Sequence, residues 1–439
     1  MFRNLLAISL LFIISYSYCQ NTREPFQPLD VFGLEFVSDP QIAPDGSRVV
    51  YRRNGYDIMK DRRFGNLWII NSDGTDHRKL TSREVNESQA RWSPDGKRLA
   101  FSSATEEGSE LYMYWMDTGQ IAKLSQLERS PGNLTWSPNG KQLAFTMFVA
   151  QKPPVVADMP RKPKGAKWAD KPRITDRLKH EADGRGYMEP GFSHIFIIPS
   201  EGGTARQLTS DNYNHGGALS FSPDGKDIYF SANLTENWEY DFRNSEVYKV
   251  NVDSGKISQL SDQQGPDGSP KVSPDGRTVA FISFKDKVQT YQLRQLNIMN
   301  TDGSGRKILT ADLDRSVAGL QWANDGKGIY FMYDDKGNTK VAYVGLNGKV
   351  RKLADNLGGN SIGRPYGGGA FSVSNNGSIA YTYATPYHPA ELAVLNPNSR
   401  VNAITDLNQD VLGQRELGQV KEVWYKSTVD GRDIQGWII

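Results

Sequence analysis

One ten-residue segment recurs along this chain and constrains its fold more than any other feature. WSPDGKRLAF covers residues 92–101, and close variants cover 136–145 (WSPNGKQLAF), 221–230 (FSPDGKDIYF) and 272–281 (VSPDGRTVAF). In Ser-Pro-Asp-Gly, proline presets φ at the second turn position and glycine accepts the positive φ that closes a tight hairpin. The residues after each glycine are rich in β-forming types. Each copy therefore predicts a β-hairpin.

The hairpin motif marks a regular repeat. The residue before each Asp-Gly or Asn-Gly pair identifies its copies: Pro44, Pro94, Pro138, Pro223, Pro274, Asn324 and Asn375. Successive markers are separated by 50, 44, 85, 51, 50 and 51 residues, and the interval of 85 contains one period plus an insertion, residues 151–190. Repetition at this length is typical of propellers and other repeat architectures. The chain therefore contains seven repeat units.

Each unit has a second half that predicts another hairpin, as in LWIINSDGTDHRKLTS (67–82) and IFIIPSEGGTARQLTS (195–210). Together the halves give four short antiparallel strands, A to D. Several strands are apolar on consecutive residues, which indicates that both sheet faces are covered. A fifty-residue sheet cannot bury two faces alone. We therefore predict an all-β, seven-bladed β-propeller of four-stranded antiparallel blades, with TolB/WD40-like repeats.

The order of strands predicts how the ring closes and which face carries the insertion. The first unit begins with its own strand A (38–43) and the last ends with its own strand D (401–406), so we expect closure by packing, without strand exchange. The A–B and C–D hairpins lie on one face, and the B–C loops and D–A links on the other, here called the B–C face. The insertion lies between strands B and C of unit three. The segment after unit seven also leaves from the B–C face.

Charge excludes some classes of partner. Lys plus Arg number 52 and Asp plus Glu 50, so the net charge of +2 gives no global field for nucleic acid or a membrane surface. The insertion has ten basic residues, six acidic residues and six prolines, but no basic stripe with interleaved aromatic residues. It is either a solvated loop or an ordered arm that meets a partner domain.

The amino terminus resembles a secretory signal. Arg3 precedes an apolar stretch, residues 5–18, that is too short to span a bilayer, and Ser17 and Cys19 fit a cleavage site before Gln20. We predict a signal peptide at 1–19 and a secreted or periplasmic protein. Acylation of Cys19 is less favoured because bulky Tyr18 precedes it. No other segment predicts a membrane span, and Cys19 is the only cysteine.

The repeats, the signal peptide and the closing segment STVDGRDIQGWI (427–438) together resemble the prolyl-oligopeptidase family of serine peptidases, in its acylaminoacyl-peptidase or dipeptidyl-peptidase-like branch. Residues 177–209 resemble that branch's third-blade insertion and the strands after it. The repeat by itself is shared with TolB-type periplasmic propellers. The resemblance implies a propeller that caps an α/β-hydrolase domain and admits only short or unfolded peptides.

The resemblance also implies a division of the chain. We expect a propeller at 20–417, with the insertion at 151–190, and the first strands of a truncated hydrolase domain at 418–439. The serine, aspartate and histidine of that domain are then missing, and we expect no catalytic residue and no peptidase activity in this chain. One G-x-S-x-G string surrounds Ser361, but proline and glycines follow it where a helix is required.

Candidate substrate-binding residues lie on the predicted B–C face. Exopeptidases of this family hold the free amine of a peptide with acidic groups on the cap. Two loops supply candidates, namely Trp238, Glu239, Tyr240 and Asp241 in unit four and Asp183, Arg185 and Tyr187 in the insertion. Each could equally be a solvated loop charge or a rim aromatic residue. The histidines show no metal-ligand spacing, and we expect no cofactor.

Three hypotheses remain open from the sequence. The first is the substrate-gating propeller of a secreted peptidase that releases aminoacyl or dipeptidyl groups from short peptides, with the peptide and the missing hydrolase domain as partners. The second is a free-standing, TolB-like periplasmic binding propeller. The third is a propeller enzyme acting on sugars or lactones, which requires inward His, Asp and Glu residues around a metal, and their spacing is absent.

Overall fold

The Ser-Pro-Asp-Gly turns fold as their residue types predict. In the second unit the backbone N–H of Gly96 donates to the carbonyl of Ser93 at 2.9 Å, and Gly96 has a φ of +70°. The Ser93 hydroxyl donates to Asp95 at 2.6 Å, which tightens the turn. This bond lowers the pKa of Asp95, as does the backbone N–H of Lys97. Ser93 is therefore the first residue of the turn and also holds the Asp95 side chain in place within it.

The computed structural model describes residues 23–157, 160–169, 172–359, 368–397 and 401–439. The predicted signal peptide with Cys19, and Ser361 of the G-x-S-x-G string, lie outside the described residues. Within these ranges there are two short helical segments, a 3₁₀ helix at Pro28–Gly33 and α1 at Gln409–Leu412. Across the described ranges, no helix has the length and apolar character needed to cross a membrane.

The strands of the amino-terminal half are these: β1 (Glu24–Pro25), β2 (Phe36–Ile42), β3 (Arg48–Asp57), β4 (Arg62–Asn71), β5 (Arg78–Lys79), β6 (Glu87–Trp92), β7 (Arg98–Thr105), β8 (Gly108–Trp115), β9 (Ile121–Lys123), β10 (Gly132–Trp136), β11 (Gln142–Ala150), β12 (Glu181–Ala182), β13 (Gly186–Tyr187), β14 (Gly191–Pro199), β15 (Arg206–Gln207), β16 (His215–Phe221) and β17 (Asp227–Ala232).

The strands of the carboxy-terminal half are these: β18 (Glu246–Asn251), β19 (Ile257–Gln259), β20 (Asp267–Val272), β21 (Thr278–Ser283), β22 (Gln295–Asn300), β23 (Lys307–Ile308), β24 (Val317–Trp322), β25 (Gly328–Asp335), β26 (Asn338–Gly345), β27 (Val350–Leu357), β28 (Phe371–Val373), β29 (Ile379–Thr385), β30 (His388–Leu395), β31 (Asn402–Ala403), β32 (Arg415–Glu416), β33 (Lys421–Lys426) and β34 (Asp433–Ile438).

Strand pairing reproduces the four-strand repeat. Five sheets pair their strands antiparallel in chain order: β2–β5, β6–β9, β10–β11–β14–β15, β16–β19 and β20–β23. The next eight strands, β24 to β31, form two more antiparallel meanders, which join into one sheet through the pair Leu357 and Tyr383. The predicted all-β class is confirmed. The chain between β11 and β14 includes a short hairpin, β12–β13.

Apolar residues on both faces of a sheet bind it to its two neighbours. Ile69 of β4 packs in a cluster with Leu99 and Phe101 of the following sheet. Adjacent Ile70 points the other way, into a cluster with Leu392 of the last meander. Each isoleucine is at most 1% exposed, and burial of such a side chain contributes about 1.5–3 kcal/mol. The consecutive apolar residues of strand C therefore serve two interfaces at once.

Strand A carries a bulge that recurs at the same place in successive units. In the first unit the register shifts between Ser38 and Gln41, around Asp39, which has a φ of +48°. Residues with positive φ occupy the bulge in the next five units as well: Gln89, Asn133, Gly217, Ser269 and Gly319. Bulges bend a strand and redirect its side chains. The inner strands are therefore curved in the same way around the molecule.

The first and last meanders contact each other directly. The backbone N–H of Ile42 donates to the Ser372 hydroxyl at 2.8 Å, and that of Asn375 donates to the Pro44 carbonyl at 2.9 Å. The segments that flank the meanders are also joined, because β1 pairs in parallel with β32. Arg415 of β32 forms an ion pair with Asp30, Nε to Oδ2, at 2.6 Å.

The terminal hairpin β33–β34 lies against the B–C loops of units six and seven. Gln435 donates to the carbonyl of Lys336 at 3.2 Å, and the ring of Trp437 lies beside Gly337 in the same loop. The Tyr387 hydroxyl, in the B–C loop of unit seven, accepts the backbone N–H of Val420 at 3.2 Å. The hairpin therefore contacts the kind of loop that, in unit three, carries the insertion.

Candidate functional site

The insertion and the B–C loop of unit four enclose a cavity of about 670 Å³ on the B–C face. Its wall combines residues 174–177, 179–180, 185 and 187–190 of the insertion with the loop that follows β17, whose cavity-lining members are Asn233, Trp238, Glu239, Phe242 and Asn244. The loop is shaped by short turns, in which the Trp238 N–H donates to the Thr235 carbonyl at 3.2 Å. Two segments that are distant in the repeat pattern thus form one concave surface.

Aromatic rings stacked with arginines form part of this surface. The guanidinium of Arg177 lies 4.1 Å from the ring centroid of Phe192, and Phe192 meets Trp238 edge to face at 6.1 Å. Within the insertion, the guanidinium of Arg173 lies 3.8 Å from the ring centroid of Tyr187 in the hairpin β12–β13. Such contacts contribute from about 0.5 kcal/mol at exposed sites to about 2 kcal/mol when desolvated. The Arg177 and Phe192 contacts link the insertion to Trp238 of the unit-four loop, whereas the Arg173 contact joins two parts of the insertion itself.

Glu239 has a carboxylate oxygen that the surrounding chain does not satisfy. Its Oε1 is buried and has no hydrogen-bond partner among the described residues. Another acid of the same cavity, Glu189, is paired with Arg129 at 2.8 Å. A buried carboxylate oxygen without a donor is costly. The cavity therefore offers one acidic group that is set up to accept hydrogen bonds from a cationic or N–H-bearing ligand.

The structure brings together only some of the predicted substrate-binding residues. Trp238, Glu239, Arg185 and Tyr187 all line the cavity. Three others do not: Asp241 accepts a hydrogen bond from Gln264 at 3.0 Å, Tyr240 is 77% exposed, and Asp183 lies in a separate shallow depression at the tip of the insertion hairpin. The loop alternates direction, so neighbouring residues in sequence face different surroundings.

Arg177 and Phe242 are cavity residues that the sequence analysis missed. Phe242 immediately follows the predicted run 238–241. It is 78% exposed, so it does not belong to the buried core that a pattern of apolar residues would identify. Arg177 lies in a basic stretch in which nothing distinguishes one arginine from the next. Their roles depend on how the insertion folds back onto unit four, and the repeat pattern carries no information about that path.

A second cavity, of about 550 Å³, is lined by strand A of every unit. In six of the seven units the residue three positions before the turn marker lines this cavity: Gln41, Arg91, Thr135, Lys271, Gln321 and Ser372. Arg91 is paired with Asp39 at 2.9 Å. Burial, with Arg91 as a second cause, lowers the pKa of Lys271 to about 8. This polar spacing is visible in the sequence and could have predicted the central cavity.

Comparison with known proteins agrees with this architecture. Residues 135–362, more than half of the chain, match the model of the family described as TolB beta propeller domain. Dipeptidyl-peptidase 5 of Porphyromonas gingivalis is 27% identical over 437 residues, which cover 95% of this chain and 61% of that protein. The uncharacterized peptidase YuxL of Bacillus subtilis is 26% identical over 93% of this chain and 63% of its own length. The chain thus spans about three fifths of these relatives.

Solved structures show the same fold. The acylaminoacyl peptidase of Pyrococcus horikoshii superposes with a TM-score of 0.70 at 17% identity, over 92% of this chain and 57% of that one. The propeller domain of the Trilobed protease from Pyrococcus furiosus gives a TM-score of 0.56 at 16% identity, over 85% of this chain and 97% of that domain. The predicted resemblance to peptidase propellers is confirmed. The chain belongs to the TolB beta-propeller domain family and is similar, over nearly its whole length, to the propeller portion of peptidases.

Proposed function

We propose that this chain is the substrate-gating propeller of a secreted serine peptidase that releases short amino-terminal fragments from peptides. The named relatives include dipeptidyl-peptidases, and the similarity covers 95% of this chain but only 61% of such a relative. In this proposal the remaining part corresponds to the catalytic α/β-hydrolase domain, of which residues 418–439 are the first strands. Residues 20–417 are the propeller, and residues 1–19 direct its secretion.

The proposed ring has seven blades and closes by packing, without strand exchange. Two observations support it: the last eight strands pair as two successive meanders, and the first and last meanders share a buried cluster that includes Ile70 and Leu392. The hydrogen bond from Ile42 to Ser372 joins the inner strands of those two meanders. A ring of this kind leaves a central passage, for which the 550 Å³ cavity between the A strands is the candidate.

The main support for binding of a peptide amino terminus in the cavity is the carboxylate oxygen of Glu239 that has no hydrogen-bond partner among the described residues. The buried Glu239 oxygen lacks a hydrogen-bond donor. A protonated α-amine carries three N–H groups, any of which can donate to it. Trp238 and Tyr187 add aromatic surface for the first side chain of the peptide. The cavity lies on the B–C face, and the terminal hairpin contacts other loops of that face, so a catalytic domain beyond residue 439 would begin on the same side.

Peptide binding to the chain itself tests this function. We expect a short peptide with a free amino terminus to bind more tightly than its N-acetylated form, as measured by isothermal titration calorimetry. Glu239→Gln should abolish that preference and weaken binding of the free peptide about tenfold, because hydrogen bonds to charged groups contribute about 1.5–3 kcal/mol.

Glu236→Gln is the matched control, since Glu236 is exposed on the same loop and does not line the cavity. Equal binding of free and acetylated peptides by the native chain would refute the amine site. For catalysis, the coding sequence downstream of Ile439 should be read, and the protein it encodes should be assayed on dipeptidyl and acylated substrates. A coding sequence without a nucleophile elbow would refute the peptidase assignment.

A free-standing binding propeller is the second candidate, and the central cavity favours it. Lys271 lies in that cavity, and no carboxylate of the described residues lies within ion-pair distance of its ammonium group. This arrangement suits an anionic ligand held in the channel. Binding of a partner through the channel should be lost in Lys271→Met and unchanged in Glu239→Gln, which separates the two candidates.

A further inference from the structure

Three side chains that are separated in sequence meet at the junction between units three and four. His194 belongs to β14, His215 begins β16, and Asp211 lies in the link that joins the two units. One ligand atom from each residue lies within 4.8 Å of those from the other two. Both histidines are buried, at 4% and 0% exposure, whereas the Asp211 side chain is 41% exposed. The cluster is therefore enclosed by the two units and open to solvent only past Asp211.

The orientation of His215 leaves a nitrogen lone pair without a partner. Its Nδ1 lies 3.1 Å from the carbonyl oxygen of Tyr213, which can only accept a hydrogen bond, so Nδ1 carries the proton. In the neutral ring Nε2 is then an acceptor. Nε2 is buried and has no hydrogen-bond partner among the described residues, although Asp211 Oδ1 lies 3.3 Å away. Two acceptors that face each other at this distance are reconciled by a positive charge between them, either a metal ion or a proton on Nε2.

His194 is held in a way that suits the same cation. Its Nδ1 lies 3.1 Å from the Thr209 hydroxyl, which also accepts the backbone N–H of Ile195 at 3.1 Å. The ring stacks on His215 with centroids 5.4 Å apart. A metal-bound histidine usually has its second ring nitrogen fixed by a carbonyl or another polar group. Both imidazoles have this arrangement, with Thr209 and Tyr213 as the outer partners.

The equivalent junction between units four and five shows what the chain does where it supplies its own cation. There Glu246 occupies the place of His194, and its carboxylate accepts a hydrogen bond from Ser261 at 2.6 Å. Asp267 occupies the place of His215 and forms an ion pair with Arg306 at 2.9 Å. At the junction between units three and four, no lysine or arginine of the described residues lies within 4.0 Å of Asp211, and the basic group beside it is the His215 imidazole at 3.3 Å. The chain offers ligands there instead of an arginine.

We propose that His194, Asp211 and His215 bind a zinc ion, or a divalent ion of similar preference, that joins units three and four beneath the insertion. Two imidazole nitrogens and one carboxylate oxygen are a donor set that zinc accepts, with water in the fourth position. The Asp211 oxygen and the His215 nitrogen, 3.3 Å apart, already have the separation of two ligands in a tetrahedral site, and all three ligand atoms lie within 4.8 Å of one another. The inference does not depend on the proposed peptidase function.

The role of such an ion would be structural. His194 lies four positions after Pro190, the last residue of the insertion, and its neighbour Ser193 lines the 670 Å³ cavity. A metal bond between β14 and β16 would therefore fix the base of the insertion relative to unit four. In an unfolded chain the three side chains are not held together, so the ion binds the folded state in preference. Binding should therefore increase the stability of the folded state.

Metal titration of the metal-free chain tests the proposal. With Co²⁺ as a probe we expect a visible absorption band that saturates at one ion per chain and is displaced by Zn²⁺. Added Zn²⁺ should also raise the melting temperature. Asp211→Asn should weaken Zn²⁺ binding at least tenfold without preventing folding, because Asp211 is partly exposed. His215→Gln should abolish binding, and circular dichroism should check that this variant folds.

His180→Gln is the control, since His180 lies in the insertion, is exposed and belongs to no such cluster among the described residues. It should bind Zn²⁺ as the native chain does. The proposal is overturned if the native chain binds less than one Co²⁺ or Zn²⁺ at millimolar metal, or if Asp211→Asn and His180→Gln bind alike. A melting temperature that responds to Asp211→Asn but not to Zn²⁺ would show that a protonated His215 provides the cation instead.

Discussion

Trp136 in β10 donates its indole N–H to the carbonyl oxygen of Arg91 in β6, at 2.9 Å. The same bond recurs at two other junctions: Trp92 to Gln41 at 2.9 Å, and Trp322 to Lys271 at 2.8 Å. In units two, three and six the tryptophan that ends strand A therefore links its unit to an inner strand of the preceding unit through a hydrogen bond. Its ring packs at the interface while its nitrogen satisfies the neighbouring inner strand.

Trp136→Phe should lower the free energy of unfolding by about 1 kcal/mol through the lost hydrogen bond, beyond the effect of the smaller ring. Trp115→Phe provides the comparison, because the Trp115 indole nitrogen makes no hydrogen bond to the described residues and its ring is partly buried. Urea unfolding of the two variants measures the difference. Equal losses would show that the tie to Arg91 contributes nothing.

Ser269→Gly should stabilise the protein by about 0.5 kcal/mol. Ser269 has a φ of +54° in the strand A bulge, which costs a non-glycine residue about 1–2 kcal/mol, and this relief exceeds the entropy that glycine loses on folding, about 0.5–1 kcal/mol. The chain already has Gly217 and Gly319 in the corresponding bulges. Ser88→Gly, in strand A of unit two at an ordinary φ, should instead destabilise. Destabilisation by both glycines in urea melts would contradict the strain argument.

Gly337→Ala should displace the terminal hairpin. Gly337 has a φ of +74°, and a Cβ there would lie 2.5 Å from the ring of Trp437. Gly184→Ala has nearly the same φ, +72°, but meets nothing within 4 Å, so it reports the backbone strain alone. We expect faster proteolysis between β33 and β34 and a shifted tryptophan emission only for Gly337→Ala. Identical behaviour of the two variants would mean that the hairpin does not rest on this loop.

The sequence predicted the features that each unit specifies for itself. The turn at Gly96 and the consecutive apolar residues Ile69 and Ile70 follow from local residue chemistry, and they led to the four-strand repeat and the all-β class. The position of the insertion between strands B and C was also predictable, because the repeat pattern stops after strand B of unit three and resumes at its strand C.

Features that depend on contacts between units were not predictable in this way. His194 and His215 are twenty-one positions apart and meet only because strand C of one unit packs beside strand A of the next. Glu239 and Asp241 are two residues apart, yet one lines the cavity and the other bonds Gln264. A loop without a repeat has no periodicity from which the direction of its side chains can be read.

Glu246→Gln should change how stability depends on pH. Burial is the main cause that raises the pKa of Glu246 to about 7, with Asp267 and Asp262 adding to it, whereas the Ser261 hydroxyl and Arg306 lower it. In the unfolded chain a glutamate titrates near 4.3. The folded state therefore favours the protonated carboxyl. The contribution of protonated Glu246 to the free energy of unfolding is fully present below about pH 4.3 and is lost as the pH rises through 7.

Glutamine keeps an oxygen for the Ser261 hydroxyl but cannot ionise. The variant should consequently melt at the same temperature as the native chain at pH 4 and at a higher temperature at pH 8, and the gap should open between these values. Calorimetry across this range provides the measurement. Glu236→Gln, on an exposed loop, should show no such gap. A native chain that is more stable than Glu246→Gln at pH 8 would mean that ionised Glu246 is stabilised by its surroundings, most directly by Arg306, rather than penalised by burial.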